Sequence, residues 1–139
     1  FIGELRDVAG GTDSVMLLET NLDTATGEVI GHTKRLLLSA GALDVYSTAI
    51  QMKKDRPGVT LSVMCQPEKI VELEAIIFNE TNTLGIRRQL IQRSVRQRMT
   101  YTVDTDFGPV KGKLAWRTDE PAVFTPEYED CIEIAKAHE

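Results

Sequence analysis

Two rhythms of apolar and polar positions run along the chain, one of period two and one of about 3.6. Residues 15–19 form a short apolar run that reads as a buried strand, followed by the polar turn Asn21-Leu22-Asp23-Thr24. Over residues 28–40, Val29, Thr33, Leu36, Leu37 and Ala40 recur at helical spacing. Lys34 and Arg35 fall on the other side, and Gly41 suits a C-terminal cap. Residues 43–53 carry Val45, Tyr46, Thr48 and Ile50 and read as a strand. Asp55-Arg56-Pro57-Gly58 turns the chain, and residues 59–65 return as the partner strand. Pro67 opens a second helix with Glu68 in its first turn. Its stripe is Ile70, Leu73 and Ile77, it runs to about residue 79, and Thr81-Asn82-Thr83 ends it. Residues 85–95 form an Arg-rich strand.

The order β-α-β-β-α-β predicts an α+β, ferredoxin-like fold: an antiparallel four-stranded sheet with two helices on one face. An extension follows. Residues 100–105 and 110–116 predict a β-hairpin around Asp106-Phe107-Gly108-Pro109, and residues 122–124 a short further strand. A last helix is expected to be capped by Thr125 and opened by Pro126, with Glu127 in its first turn. Residues 1–14, ending in the turn formers Gly10 to Ser14, read as a flexible N-terminal segment. Residues 15–139 read as a single ferredoxin-like domain with a C-terminal extension.

Composition narrows the function classes. A chain of 139 residues with a net charge of -5 is too acidic for bulk binding to nucleic acid or a membrane surface. The strand at residues 59–65 has no aromatic residue on which a base could stack, which also disfavours RNA. Cys65 and Cys131 form no CxxC pair, fit a reducing compartment and suggest a cytoplasmic protein. No apolar run is long enough to cross a bilayer. His32 and His138 are too few for a triad or a zinc cluster, and His32 is expected at the surface or core edge. The first residue is Phe1 rather than Met, so the chain is expected to be a domain of a longer polypeptide.

Five constellations could carry chemistry. Lys53, Lys54 and Arg56 crowd a tight turn beside Gly58, which suits phosphate, although charged hairpin tips are common. Glu19, Asn21 and Asp23 precede the first helix, where a hydrated divalent cation and a phosphate could sit; helix capping accounts for the same residues. Thr83, Gly85 and Arg87 gather at a helix-to-strand junction. Arg87, Arg88, Arg93, Arg96 and Arg98 make either a polyanion site or a charge-defended edge strand. Glu127, Glu129, Asp130 and Cys131 share little more than one helical turn, able to hold a metal or move a proton, or simply to complement the helix dipole. The junction at residues 80–88 is expected at the sheet end that carries the Arg56 turn and opposite the start of the first helix. Asn21 and Asp23 would then share a nucleotide with it only across the sheet or across a subunit interface, a reason to expect a homo-oligomer.

Four stretches point further: LETNLD at 18–23, AGALDVYSTAIQMKKDRPG at 40–58, IIFNETNTLGIRRQ at 76–89 and PEYEDC at 126–131. They resemble the C-terminal domain of the LarC family, CTP-dependent nickel insertases (cyclometallases) that make the nickel-pincer nucleotide cofactor of lactate racemase. The resemblance covers the chain from about residue 15 to its end. It implies an oligomeric ferredoxin-like domain that binds CTP with Mg²⁺ or Mn²⁺. The full protein would use CTP, releasing pyrophosphate, to place nickel, the substrate metal, into a pyridinium dithiocarboxylate mononucleotide. The implied partners are that mononucleotide and the N-terminal domain of the same protein. By position, the resemblance makes Lys53, Lys54, Arg56 and Gly58 the triphosphate clamp, and Thr83, Gly85 and Arg87 a further part of the nucleotide pocket. Asn21, Asp23 and Glu19 become the metal or phosphate shell, and Glu127, Glu129 and Asp130 the catalytic carboxylates. The sequence departs from the family at Thr24, where a second acid is common, and at Asn82, which interrupts a threonine run. The alternative reading is a non-catalytic regulatory or oligomerisation module that binds a small anionic ligand.

Overall fold

The computed structural model describes residues 11–137; His138 and the part of the expected flexible segment up to residue 10 lie outside them. The chain divides into two compact units. One spans Ser14–Gln92; the other joins the residues up to Asp13 with Arg93–Glu139.

The first unit is built on β1 (Thr12–Leu22), α1 (Gly27–Ser39), β2 (Asp44–Gln51), β3 (Pro57–Cys65), α2 (Ile70–Glu80) and β4 (Arg87–Ser94). The strands lie in the order β2-β3-β1-β4. β3 is antiparallel to both β1 and β2, with Leu18 opposite Val63 and Val63 opposite Val45. The expected ferredoxin-like arrangement is the observed one. Side chains alternate across a strand, so Leu18 and Leu22 point to the helices while Glu19 and Asn21 point away. Leu18, Leu37, Leu61, Val63, Leu73 and Ile77 are at most 1% exposed and pack into one cluster. Each such side chain contributes roughly 1.5–3 kcal/mol by leaving water.

The α1 stripe centres on Ile30, Thr33 and Leu37, rotated from the expected one toward Ile30. Thr33 is tolerated there because its hydroxyl donates to the Val29 carbonyl at 2.7 Å. Thr26 caps α1, accepting from the Val29 N–H at 3.2 Å. α2 follows a single 3₁₀ turn at Pro67–Lys69. It buries Glu74 along with Leu73 and Ile77, and Arg88 reaches across from β4 to hold that carboxylate in a bidentate pair at 2.7 and 2.8 Å.

Boundaries differ from expectation at several places: β1 runs on to Leu22, past residue 19 and into the expected turn, and β4 starts at Arg87 rather than 85. β1 begins at Thr12, not 15: Asp13 lies within the strand and is held by Arg93 at 2.7 and 2.9 Å. β2 stops at Gln51, because Lys53–Asp55 fold into a 3₁₀ turn.

The second unit holds β5 (Gln97–Thr105), β6 (Gly108–Trp116), β7 (Val123–Pro126) and α3 (Tyr128–Ala137), with the strands in that order. Gly108, at φ +120°, allows the tight hairpin. Tyr101 and Phe124 meet edge to face with ring centroids 6.4 Å apart. Thr125 and Pro126 do not cap and open the last helix as expected. They end β7, an edge strand where proline's missing N–H is tolerated, and α3 starts only at Tyr128.

Candidate functional site

In the first unit three chain segments converge on one end of the sheet, for a topological reason. β1 runs toward that end and delivers Asn21 and Asp23. The β2–β3 turn lies there too, since Leu22 pairs with Val59 and Gln51 with Pro57. α2 runs back to the same end, so its junction with β4 arrives beside them. This corrects the expectation that the start of the first helix lies at the opposite end. Asn21 and Asp23 share the end with Arg56, Thr83, Gly85 and Arg87 within one chain, and the topological reason for expecting an oligomer falls away.

The contacts are explicit. Asn21 Oδ1 accepts from Arg87 Nη2 at 3.1 Å and from the Thr60 hydroxyl at 2.9 Å. Asp23 Oδ2 accepts from Arg56 Nη2 at 3.2 Å. The Thr20 and Thr83 hydroxyls, 2.5 Å apart, both reach the Gly85 carbonyl, at 2.9 and 3.0 Å. That cluster ties buried Thr20 of β1 to the loop before β4. A cleft of about 150 Å³ lies among Asn21, Asp23, Thr26, Glu80 and Thr83. The N-terminus of α1 opens toward it, with a partial positive charge that favours an anion.

The turn that carries the cations is conformationally strained. Lys54 and Asp55 are both left-handed, at φ 59° and 57°, a region costly for residues with a Cβ. Lys53, Lys54 and Arg56 are exposed, and among the described residues no carboxylate lies in ion-pair range of either lysine. Gly58 serves packing. A Cβ there would stand 2.5 Å from the Met52 sulfur and 3.0 Å from the Leu22 carbonyl oxygen.

Other expected residues lie elsewhere. Glu19 sits on the sheet face away from the helices, where the Ser62 hydroxyl approaches it at 3.5 Å. The Arg-rich segment is mostly structural: Arg88 is held by Glu74, Arg93 by Asp13 and Arg96 by Glu120, and of these arginines Arg87 is the one that reaches the cleft residues. Glu127, Glu129 and Asp130 belong to the second unit. There Asp130 accepts from the Lys111 N–H at 2.8 Å, while the Glu127 N–H donates to the Lys111 carbonyl at 2.8 Å, so both fasten α3 to β6. Among the described residues no three His, Cys, Asp or Glu side chains gather to hold a metal ion. His32 is half exposed and 3.7 Å from Glu80.

Sequence reading missed Thr60 as a neighbour of the site. Strand parity was the available signal: Thr60 lies opposite Asn21 in the antiparallel register.

Comparison with known proteins adds the following. A family model described as nickel insertion protein matches residues 5–139. Relatives named for nickel insertion include one from Acaryochloris marina, 46% identical over 132 residues, which cover 94% of this chain and 32% of that protein. Another, from Rhodopirellula baltica, is 40% identical, covering 98% of this chain and 36% of its own length. The chain thus spans about a third of the length of the curated relatives it matches. Among solved structures, the apo form of LarC2, the C-terminal domain of a cyclometallase involved in the synthesis of the NPN cofactor of lactate racemase, superposes with a TM-score of 0.83. It is 42% identical, and the match covers 91% of this chain and 88% of that one. A Methanopyrus kandleri protein shares the fold at a TM-score of 0.66 and 24% identity. Among the described residues no helix is long and apolar enough to cross a membrane.

Proposed function

We propose that this chain, which belongs to the nickel insertion protein family, is the part of a nickel insertase that binds CTP together with Mg²⁺ or Mn²⁺. The observation that carries the reading is the convergence of Arg56, Arg87, Asn21 and Asp23 at the open end of one sheet, beside the paired lysines of a strained turn. A triphosphate needs several cations and N–H donors that are already in place, and guanidinium forks match its oxygens in pairs. Lys53, Lys54 and Arg56 would hold the phosphate chain, with Arg87 and the Thr83–Gly85 loop at its side.

The cleft of about 150 Å³ is smaller than the roughly 300–1,000 Å³ typical of small-molecule sites. It suits a phosphate group with the remainder of the nucleotide lying over the cationic turn. The residues fit a divalent cation of one kind. Asp23 and Glu80 are the carboxylates at the cleft and Asn21 adds an amide oxygen, a set suited to Mg²⁺ that keeps waters and takes its other ligands from phosphate. Such an ion would arrive with the nucleotide and neutralise phosphate charge.

The same reading assigns the nickel, the pyridinium mononucleotide and the chemistry of nickel–carbon bond formation to the longer protein, with its N-terminal part. Glu127, Glu129 and Asp130 are the proposed acids for that chemistry. Of these, Asp130 already accepts the Lys111 N–H on Oδ2, and Oδ1 would be the oxygen that acts.

Calorimetric titration of the chain with CTP, ATP, GTP and UTP, each with and without Mg²⁺ or Mn²⁺, tests the reading. Metal-dependent binding of CTP ahead of the others is the expected outcome. Absence of binding by every triphosphate would sink it and favour a regulatory or oligomerisation module.

A further inference from the structure

Thr20 shares the helix side of β1 with Leu18 and Leu22, yet it carries a hydroxyl and is only 1% exposed. A hydroxyl so deeply buried needs partners. Those of Thr20 both lie in the loop between α2 and β4: the Thr83 hydroxyl at 2.5 Å and the Gly85 carbonyl at 2.9 Å. The Thr83 hydroxyl is itself 3.0 Å from that carbonyl. Thr81 fixes the start of the loop. Its Oγ1 accepts from the Thr83 N–H at 3.3 Å and donates to the Ile77 carbonyl at 2.7 Å.

The Thr20 and Thr83 hydroxyls have one proton each, and each oxygen has two lone pairs. Two oxygens 2.5 Å apart repel unless a proton lies between them. One threonine therefore donates to the other, and the second donates to the Gly85 carbonyl. In either order both protons are spent within the cluster. Thr83 then turns only lone pairs toward the cleft that it lines with Asp23 and Glu80. An ionised phosphate oxygen is an acceptor too and repels such a lone pair. A hydrated divalent cation attracts it, directly or through a bound water.

We propose that Thr20 is a positioning residue that holds Thr83 as an acceptor, so that Thr83 meets the divalent cation or one of its waters and not the phosphate. The inference rests on the triphosphate reading and divides the labour within that site. The oxygens of Thr83, Asp23 and Glu80 serve the cation, while Arg56, Arg87 and the two lysines serve the phosphates.

Calorimetry of CTP with and without Mg²⁺ gives the factor by which the cation tightens binding. Thr83→Val should lower that factor about two- to tenfold, the worth of one hydrogen bond. Thr20→Val should lower it in the same sense by a smaller amount, and Thr20→Ser, which keeps the hydroxyl, should restore it. A loss in Thr83→Val of equal size with and without Mg²⁺ would mean that Thr83 donates to phosphate, and would overturn the proposal. So would an unchanged factor in Thr20→Val, or a Thr20→Ser variant no better than Thr20→Val, which would make the role one of packing. The protons themselves are read by NMR on the free chain, with no nucleotide present. Both hydroxyl protons should exchange slowly with water. A freely exchanging Thr83 proton would overturn this inference alone, even where CTP binds. Failure of every triphosphate to bind would remove the first proposal and the cation role with it.

Discussion

Replacing Arg56 by Ala separates a structural role from a binding role. Its partner Asp23 is 3.2 Å away, and the two side chains are 57% and 34% exposed. An ion pair so open to water and salt contributes about 0.2–1 kcal/mol to stability. Against a bound phosphate the same guanidinium makes a charge-assisted hydrogen bond, and its loss costs about 1.5–3 kcal/mol. At about 1.4 kcal/mol per factor of ten, that is a ten- to hundredfold rise in Kd for the triphosphate. Arg56→Ala also leaves Asp23 without its cation, and the bare carboxylate repels phosphate unless a divalent ion comes between. The loss should therefore be larger without Mg²⁺ than with it. Arg56→Lys, which keeps the charge but not the fork, should fall between the two. Calorimetry of each variant with CTP, paired with urea denaturation, gives both numbers. A triphosphate Kd within twofold of the parent would refute the clamp assignment. A stability loss well beyond 1 kcal/mol would show that the contact serves the fold.

Further outcomes follow from particular contacts. Gly58→Ala would push a Cβ against Met52 and the Leu22 carbonyl, and should destabilise by about 1–3 kcal/mol as overpacking does; Met52→Ala in the same chain should recover part of that loss in urea melts. Leu37→Ala empties a fully buried site and should cost about 2–5 kcal/mol by the same measurement. The Arg93 guanidinium bonded to Asp13 holds its carboxyl below the ordinary 3.8. A depressed folded pKa contributes stability above the unfolded value, lost as pH falls through the folded one. Asp13→Asn should therefore flatten the fall of stability below about pH 4 in acid-limb melts, and an unchanged slope would contradict the pairing. Cys131 is exposed, while Cys65 is buried with its thiol pushed up by burial and then by the charge of Glu74. A disulfide reagent should titrate one thiol per folded chain and two after denaturation.

Much of the fold was legible because local physics decides it. The apolar runs around Leu18 and Val63 and the stripe of Leu73 and Ile77 call for burial, and their order admits few topologies. Pro67 before α2 marked a helix start by its missing N–H alone. Local signals misled at Thr125-Pro126, where the pattern of a helix cap was outweighed by pairing with β6, a partner distant in sequence. They were silent on the tip of the β2–β3 turn, since nothing in Lys54 or Asp55 announces a left-handed backbone.

The candidate site divides in the same way. Its residue types, two lysines and an arginine in a turn and an Asn-x-Asp before a helix, could be picked out from the sequence as able to meet phosphate and a hydrated cation. Their meeting could not. Asn21, Arg56 and Arg87 share one sheet end only because β1, the β2–β3 turn and the return from α2 all finish there. Likewise an arginine's partner depends on strand parity and on what packs opposite. That is why Arg88 and Arg93 are consumed by Glu74 and Asp13 while Arg87, one position earlier than Arg88, faces the cleft residues. Which residues can do the chemistry is a property of side chains and was present in the sequence. Which of them act together is a property of distances across the sheet, and the tertiary structure alone decides those.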